Sequence, residues 1–383
     1  MKRGTPGILG SAGAAAAALA IGASASLLGL CGPFTDVSDP VFCPFVLEVF
    51  YLGITTGTTP TTYDPSSYVT RLQMATFLSR TVDGVLKRSR RAALRQYWTT
   101  QNPDALGVTT LASNPSRLES DGLDIWIATP SNSSVSRVRA GSGNLLSTWT
   151  GATSPGGVLI AMGRVFVTGT LALGRLYSID PSTPAGAVQT LTSNLGSNPG
   201  SLTFDGGRIW TANVASVSIV TPGAWTVTTV TAGFTNPFGT LFDGANVWVT
   251  DAGAARLYKL DAAGGILQTV TAGGGASNPA FDGTNIWVPN ADENDITVLR
   301  ASTGAVLKTL TGNGLSLPDT IAFDGERMLV TNNGAGSVSL WKAADLTPVG
   351  SFSTGFSSSP LGVCSDGIHF WIALNGTGKV ARF

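Results

Sequence analysis

Histidine is almost missing from this chain: one residue, His369, in 383, beside four glutamates and three cysteines. Acid–base catalysis and metal sites need several such side chains converging, so the stock for either chemistry is thin. Charged residues make up 12%, well below the usual quarter. Basic and acidic residues balance at 23 each, so no bulk charge points to nucleic acid or another polyanion. No Gly-x-Ser-x-Gly elbow, paired-carboxylate frame, Cys/His metal spacing or phosphate loop stands out. After residue 25 no apolar run is long enough to span a bilayer.

What is abundant is glycine, 48 residues, with many Ser and Thr and a hydrophobic share of 43%. That composition fits short strands and tight turns around a real core, and the even spacing of the apolar residues argues against disorder. One phrase recurs seven times, anchored at Asp121, Ala161, Asp205, Asp243, Asp282, Asp324 and Asp366, at spacings of 40, 44, 38, 39, 42 and 42. Its fourth copy, LFDGANVWVT over 241–250, shows the parts. An apolar pair leads into Asp-Gly, a turn that Gly permits at positive φ and Asp supports by bonding its own backbone. An alternating β-branched and aromatic run follows, the mark of a hairpin. A proline opens each unit, at 115, 155, 199, 237, 279, 318 and 360, and the copy at Asp282 is three residues shorter than the rest. Further on, each unit adds a third strand and a Thr-rich fourth, as in ARLYKLDAAG and ILQTVTAG. Four strands per forty residues is the arithmetic of a β-propeller. The last copy stops at GKVARF, 378–383, without a fourth strand, while ALGVTTLASNP at 105–115 precedes the first copy and matches the missing element. The expected fold is therefore mainly β, a seven-bladed propeller over 104–383 whose first strand closes its last blade. Trp126, Phe166, Trp210, Trp248, Trp287, Leu329 and Trp371 are the expected blade cores.

Ahead of the ring the chain changes character. Lys2, Arg3, an apolar run from Ile8 to Ile21 and Ala23-Ser24-Ala25 read as an export signal over 1–25. A retained membrane anchor is the alternative, while Leu30 before Cys31 disfavours a lipoprotein. Export permits a disulfide between Cys31 and Cys43, and Cys364 reads as a small buried hydrophobe. A small α-helical unit is expected over 26–86: Phe42 to Leu52 at helical spacing, a polar loop, then a helix capped by Thr70 with Leu72, Met74, Phe77 and Leu78 on its apolar face. KRSRRAALRQYW, within 87–103, carries five cations in nine residues and reads as a basic helical linker, or as a contact for an anionic envelope polymer or lipid.

FTDV at 34–37, LGITTG at 52–57 and YDPSSYVTR at 63–71 resemble a single surface-layer-homology (SLH) repeat. The resemblance implies attachment to a cell-wall polymer or peptidoglycan, with Thr70 and Arg71 at the helix start binding an anionic glycan; Leu72-Gln73 stands where the family has Ala-Glu, and one copy stands where three are usual. VWVTD at 247–251 and LVTNN at 329–333 resemble the YVTN-type propellers, with NHL repeats and the SMP-30/gluconolactonase and streptogramin-lyase propellers as more distant relatives in pattern. The lactonase-like members hold a divalent cation in the central channel with Glu, Asn and Asp, and the lyase-like ones use His and Glu. Those resemblances single out Glu119 on the innermost strand of the first blade. Asn213, Asp251, Asn290 and Asn332, each three residues after the aromatic, form the expected rim ligand or metal site; the competing reading is turn chemistry.

The sequence thus reads as an exported, cell-surface or envelope-associated binding or structural protein. Its SLH-like front unit addresses the wall, its propeller rim engages a protein or glycan, and no nucleic acid, cofactor or membrane span of the mature chain is called for. Two other readings stand beside it: a metal-dependent lactonase or lyase, and a self-assembling surface-array subunit.

Overall fold

A computed structural model of the chain describes residues 31, 33–39, 41–51, 54–78, 81, 108–170 and 173–383. The leader (1–25), the basic linker (87–103) and residues 104–107 of the expected closing strand lie outside the described residues. Two compact units emerge, Met1–Arg95 and Gln96–Phe383.

The first unit is held by a disulfide and a small apolar knot. Cys31 is bonded to Cys43, with Cα atoms 5.4 Å apart. Cys43 opens helix α1, Cys43–Tyr51, whose Val46 is buried with Phe34 and Val37. The Phe34 ring meets Phe50 edge-on at 5.1 Å and Tyr63 at 5.6 Å. Asp36 binds the second half of the unit to the first, accepting the backbone N–H groups of Tyr63 at 2.9 Å and Asp64 at 2.7 Å. A second helix runs over 71–78. Its start is a reciprocal cap: Gln73 N–H donates to Thr70 Oγ1 at 3.2 Å, and Thr70 N–H donates to Gln73 Oε1 at 2.8 Å. Among the described residues helix is confined to Cys43–Tyr51, 71–78 and residue 81, and the Thr-, Gly- and Pro-rich stretch over 54–67, expected as a polar loop, forms turns. The described part of this unit is therefore less helical than the expected α-helical module. Leu72, Met74 and Leu78, expected on a packed face, are exposed.

The second unit is a ring of seven four-stranded antiparallel sheets. In blade 4 the strands are Pro237–Phe242, Val247–Asp251, Arg256–Leu260 and Ile266–Thr271, in that order from the axis outwards. The first strands of successive blades adjoin one another all the way round, which makes them the channel wall. Every residue of the second strand Val247–Asp251 is buried, because blades cover both its faces. Trp126, Trp210, Trp248, Trp287 and Trp371 are wholly buried, each packed against the next blade. Trp371 of blade 7 packs on Ile125 and Ile127 of blade 1, so the apolar contacts close the circle. The backbone closes it too. Val108–Thr110 pairs with Lys379–Arg382 as the outer strand of blade 7, Val108 opposite Ala381. Closure pairs the third strand of blade 7 and leaves the outer strand of each blade as its edge.

The Asp-Gly turns sit between first and second strands, and five of them have two jobs. Gly244, at φ +94°, makes the turn. Asp243 Oδ1 accepts the N–H groups of Ala245 and Asn246, and its Oδ2 accepts Trp248 Nε1 at 2.7 Å. Asp121, Asp205, Asp282 and Asp366 do the same for Trp126, Trp210, Trp287 and Trp371 at 2.8–2.9 Å. Blade 5 departs in its first strand, cut to Ala280–Phe281, since Pro279 lies only three residues before Asp282.

Candidate functional site

Strand direction alternates, so the ring has two faces: one bears the Asp-Gly turns, the other the hairpins between second and third strands. Asn213, Asp251, Asn290 and Asn332 all lie at the second face, at the ends of second strands, and all four are buried. Apart from Asn290 Oδ1, which is buried with no hydrogen-bond partner among the described residues, their polar atoms meet their own blade. Asn213 Nδ2 donates to Ser216 and Ser218 Oγ at 3.2 and 3.0 Å. Asn290 Nδ2 donates to Asp295 Oδ1 at 2.6 Å and Thr297 Oγ1 at 2.9 Å, and Asn332 Nδ2 to Ser337 and Ser339 Oγ at 3.2 and 2.7 Å. Asp251 accepts the N–H groups of Thr235, Asn236 and Ala254 at 2.7, 2.9 and 3.0 Å, fixing the loop that feeds its own blade. Loop glycines lie directly on two of these residues: a Cβ on Gly196 would stand 2.7 Å from Asn213 Nδ2, and one on Gly273 2.7 Å from Asn290 Cγ.

Glu119 sits apart from that ring. It is opposite Trp126 in the ladder, three residues from the end of the second strand, about 10 Å at the usual strand rise. It has no hydrogen bond or ion pair among the described residues. Set deep in the ring with only part of its surface open, the carboxyl is pushed up to about 7 by burial. Cys364 holds the same place opposite Trp371 in blade 7; burial, helped by the charges of Glu119 and Asp366, drives its thiol well above the ordinary range. His369 belongs to a hairpin turn, its Nδ1 3.4 Å from Asp366 Oδ2. Burial works against ionising Asp366, but hydrogen bonds from His369, Trp371 and Ile368 outweigh it and hold the carboxyl at about 2.

The most connected polar group in the channel was not singled out from the sequence. Arg117 of blade 1 reaches past blade 7 to blade 6, where Nη1 meets Asp319 Oδ2 at 2.5 Å and Nη2 meets Oδ1 at 3.2 Å. Nη1 also donates to Thr320 Oγ1 at 3.1 Å, and Ser277 Oγ of blade 5 donates to Asp319 Oδ1 at 3.0 Å. The guanidinium lies 6.0 Å from the ring centre of Phe238, in blade 4. Side chains from four blades thus meet across the axis, in a bidentate geometry only Arg supplies. The signal was present: at the register of Arg117 other blades carry Gly157, Ser201, Gly239 and Gly362, and at that of Asp319 they carry Gly156, Gly200 and Leu361. Among the described residues no three His, Cys, Asp or Glu side chains gather as a metal site would.

The Asp-Gly face has its own asymmetry. Leu123, Met162 and Ile368 occupy turn tips of blades 1, 2 and 7, three consecutive blades, and are 68%, 46% and 50% exposed. Blades 3 to 6 put Gly207, Ala245, Thr284 and Glu326 at the tip. The exposed apolar tips thus fall on one side of this face.

Solved structures share this ring. Virginiamycin B lyase from Staphylococcus aureus, as its selenomethionine form, superposes with a TM-score of 0.61 at 17% identity, over 72% of this chain and 97% of the other. A streptogramin B lyase gives 0.61 at 16% identity, over 72% and 96%. The WD40 propeller domain of Doa1 gives 0.61 at 13%, over 72% and 94%. What they share is the fold. No family model matches the chain, and no curated protein matches it. The described residues include no helix long and apolar enough to cross a membrane.

Proposed function

We propose that this is an exported, envelope-associated binding protein: an SLH-like front unit attaches to a cell-wall polymer or peptidoglycan, and a YVTN-type propeller presents its Asp-Gly face to a protein partner. The observation that carries the reading is that exposed apolar turn tips, Leu123, Met162 and Ile368, fall on neighbouring blades, where one partner could cover all three. Attachment rests on Arg71, which follows the Thr70 cap and is exposed, with no partner among the described residues; a guanidinium at a helix start suits a carboxylate. The disulfide of the front unit accords with export. The Asn and Asp residues of the opposite face serve this reading as supports for the loops. Co-sedimentation of the full chain with purified envelope polymer tests it, beside Arg71→Ala and a Leu123→Ser/Ile368→Ser pair. Pelleting lost with Arg71→Ala alone supports the anchor; pelleting unchanged in every variant rejects it.

A second reading, lyase- or lactonase-type catalysis in the channel, is favoured by one residue. Glu119, held near 7, can give or take a proton at neutral pH, and two of the structural neighbours carry the name lyase. Incubation with a streptogramin B, with and without added divalent cation, beside Glu119→Gln, tests it. Absence of any turnover disposes of lyase activity on that compound.

A further inference from the structure

A cleft of about 320 Å³ opens on the Asp-Gly face between blades 3 and 4, at the small end of ligand-pocket volumes. Phe242 and Leu260 give it apolar walls, and Arg208, Asn246 and Asp261 bring polar groups to it.

Asn246 is the exception in its row. It stands three residues after the turn aspartate, a position whose side chain is engaged in every other blade. Asp124 holds Arg137 and Arg139 at 2.5 and 3.1 Å; Arg164 faces Asp180 at 3.9 Å; Arg208 and Arg327 pair with Asp205 and Asp324 at 2.8 and 2.5 Å. Asn285 donates to Asp282 at 3.1 Å and His369 meets Asp366 at 3.4 Å. The Asn246 amide alone has no hydrogen-bond partner among the described residues, and it lines the cleft. Asp261, on the same wall, uses Oδ1 for the N–H groups of Ala263 and Gly265, both at 2.8 Å, and its Oδ2 receives no donor among the described residues. Arg208 is fixed: stacked 5.2 Å from the centre of Trp210, paired with Asp205, and donating Nη1 to the Ala262 carbonyl across the cleft.

We infer that this cleft is a binding site for one neutral pyranose unit. Neighbouring hydroxyls of a pyranose donate and accept together, which matches an amide presenting both functions beside a carboxylate oxygen that only accepts. The C–H face of the sugar meets Phe242. Arg208 and Asp205 cancel in charge, so Asp261 leaves the cleft with one negative charge, which repels anionic sugars. The site deepens the reading of the ring as a binding surface and rests on it.

Calorimetric titration of the full chain with methyl glycosides of glucose, galactose, mannose and N-acetylglucosamine is the test, with glucuronate as the anionic control. The expected result is saturable binding of at least one neutral glycoside, weakened at least tenfold by Asn246→Leu and by Ala245→Trp, which fills the mouth. Thr284→Trp, at the equivalent tip of blade 5, leaves affinity unchanged and shows that a bulky tip does not unfold the ring. Four results overturn the inference: no saturable binding of any of the four, binding undiminished in Asn246→Leu, Thr284→Trp as damaging as Ala245→Trp, or glucuronate bound as well as the neutral sugars. Envelope sedimentation by way of Arg71 is a separate readout, so failure of the cleft and failure of the anchor are told apart.

Discussion

Across the first hairpin of blade 5, Trp287 Nε1 donates to Asp282 Oδ2 at 2.8 Å, joining a wholly buried ring to the turn that starts its strand. The blades without an indole show why the pair persists. Blade 2 has Phe166, which has no N–H, and Ala161 five residues before it, which has no carboxylate. Blade 6 has Leu329, and its Asp324 is taken instead by Arg327 Nε at 2.6 Å. The aspartate is present where something needs it. It is the sole polar partner for an N–H that would otherwise be buried unpaired, and such a loss is more costly than the bond itself is favourable.

Asp282→Ala should therefore lower stability by about 2–3 kcal/mol, because it strands the indole N–H and the N–H groups of the turn together. Ala161→Asp in blade 2 should gain nothing, within about 0.5 kcal/mol. Urea unfolding midpoints of the two variants against the parent chain check both.

The fold was legible because blades repeat. Seven copies of turn and aromatic strand set the number of sheets, and a final copy short of one strand told where residues near 108 must go. What the repeat could not show was where it is broken. Arg117 and Asp319 lie 202 positions apart, and only ring closure brings them together; no local spacing reports that. Asn213, Asp251, Asn290 and Asn332 lie at one face, but sequence does not reveal that loops cover them. The front unit was harder, since its apolar knot gathers Cys31, Phe34, Val37, Cys43 and Val46 through a disulfide and turns instead of through helical periodicity.

Loop cover makes a second prediction. Gly196→Ala would place a Cβ 2.3 Å from Ser216 Oγ and 2.7 Å from Asn213 Nδ2. The loop must lift or Asn213 must give up its bonds, at about 1–3 kcal/mol. Gly186→Ala, whose added Cβ meets nothing within 4 Å, should be neutral or stabilise by roughly 0.5 kcal/mol through the unfolded chain. Equal losses in thermal unfolding of the two variants would contradict this account.

Glu119 supplies a pH dependence. Its folded pKa of about 7 lies above the ordinary value of 4.5, so between those values the folded chain binds more protons than the unfolded one. Stability then falls as pH rises through this window, by up to about 3 kcal/mol at 1.36 kcal/mol per pH unit, and the cost is absent below pH 4.5, where the group is protonated in both states. Glu119→Gln should flatten the profile between pH 5 and 7.5 and make the variant more stable than the parent at pH 8. A parent profile that rises across this range would refute the buried, unpaired carboxyl.

The cysteines give the last expectation. Cys31 and Cys43 are bonded across a separation of 12 residues, and Cys364 is free but buried. A thiol that is both enclosed and held protonated does not react, because the thiolate is the nucleophile. Native protein should thus show no thiol to a water-soluble maleimide, denatured protein one, and denatured, reduced protein three. Reduction without denaturant should weaken only the front unit, by about 3 kcal/mol from the loop-closure entropy of a ring this size. Limited proteolysis would then cut within 31–78 while the propeller stays whole. Rapid native labelling of Cys364 would mean that the contact of blade 7 with blade 1 opens in solution, and that closure there is weaker than the packing of Trp371 implies.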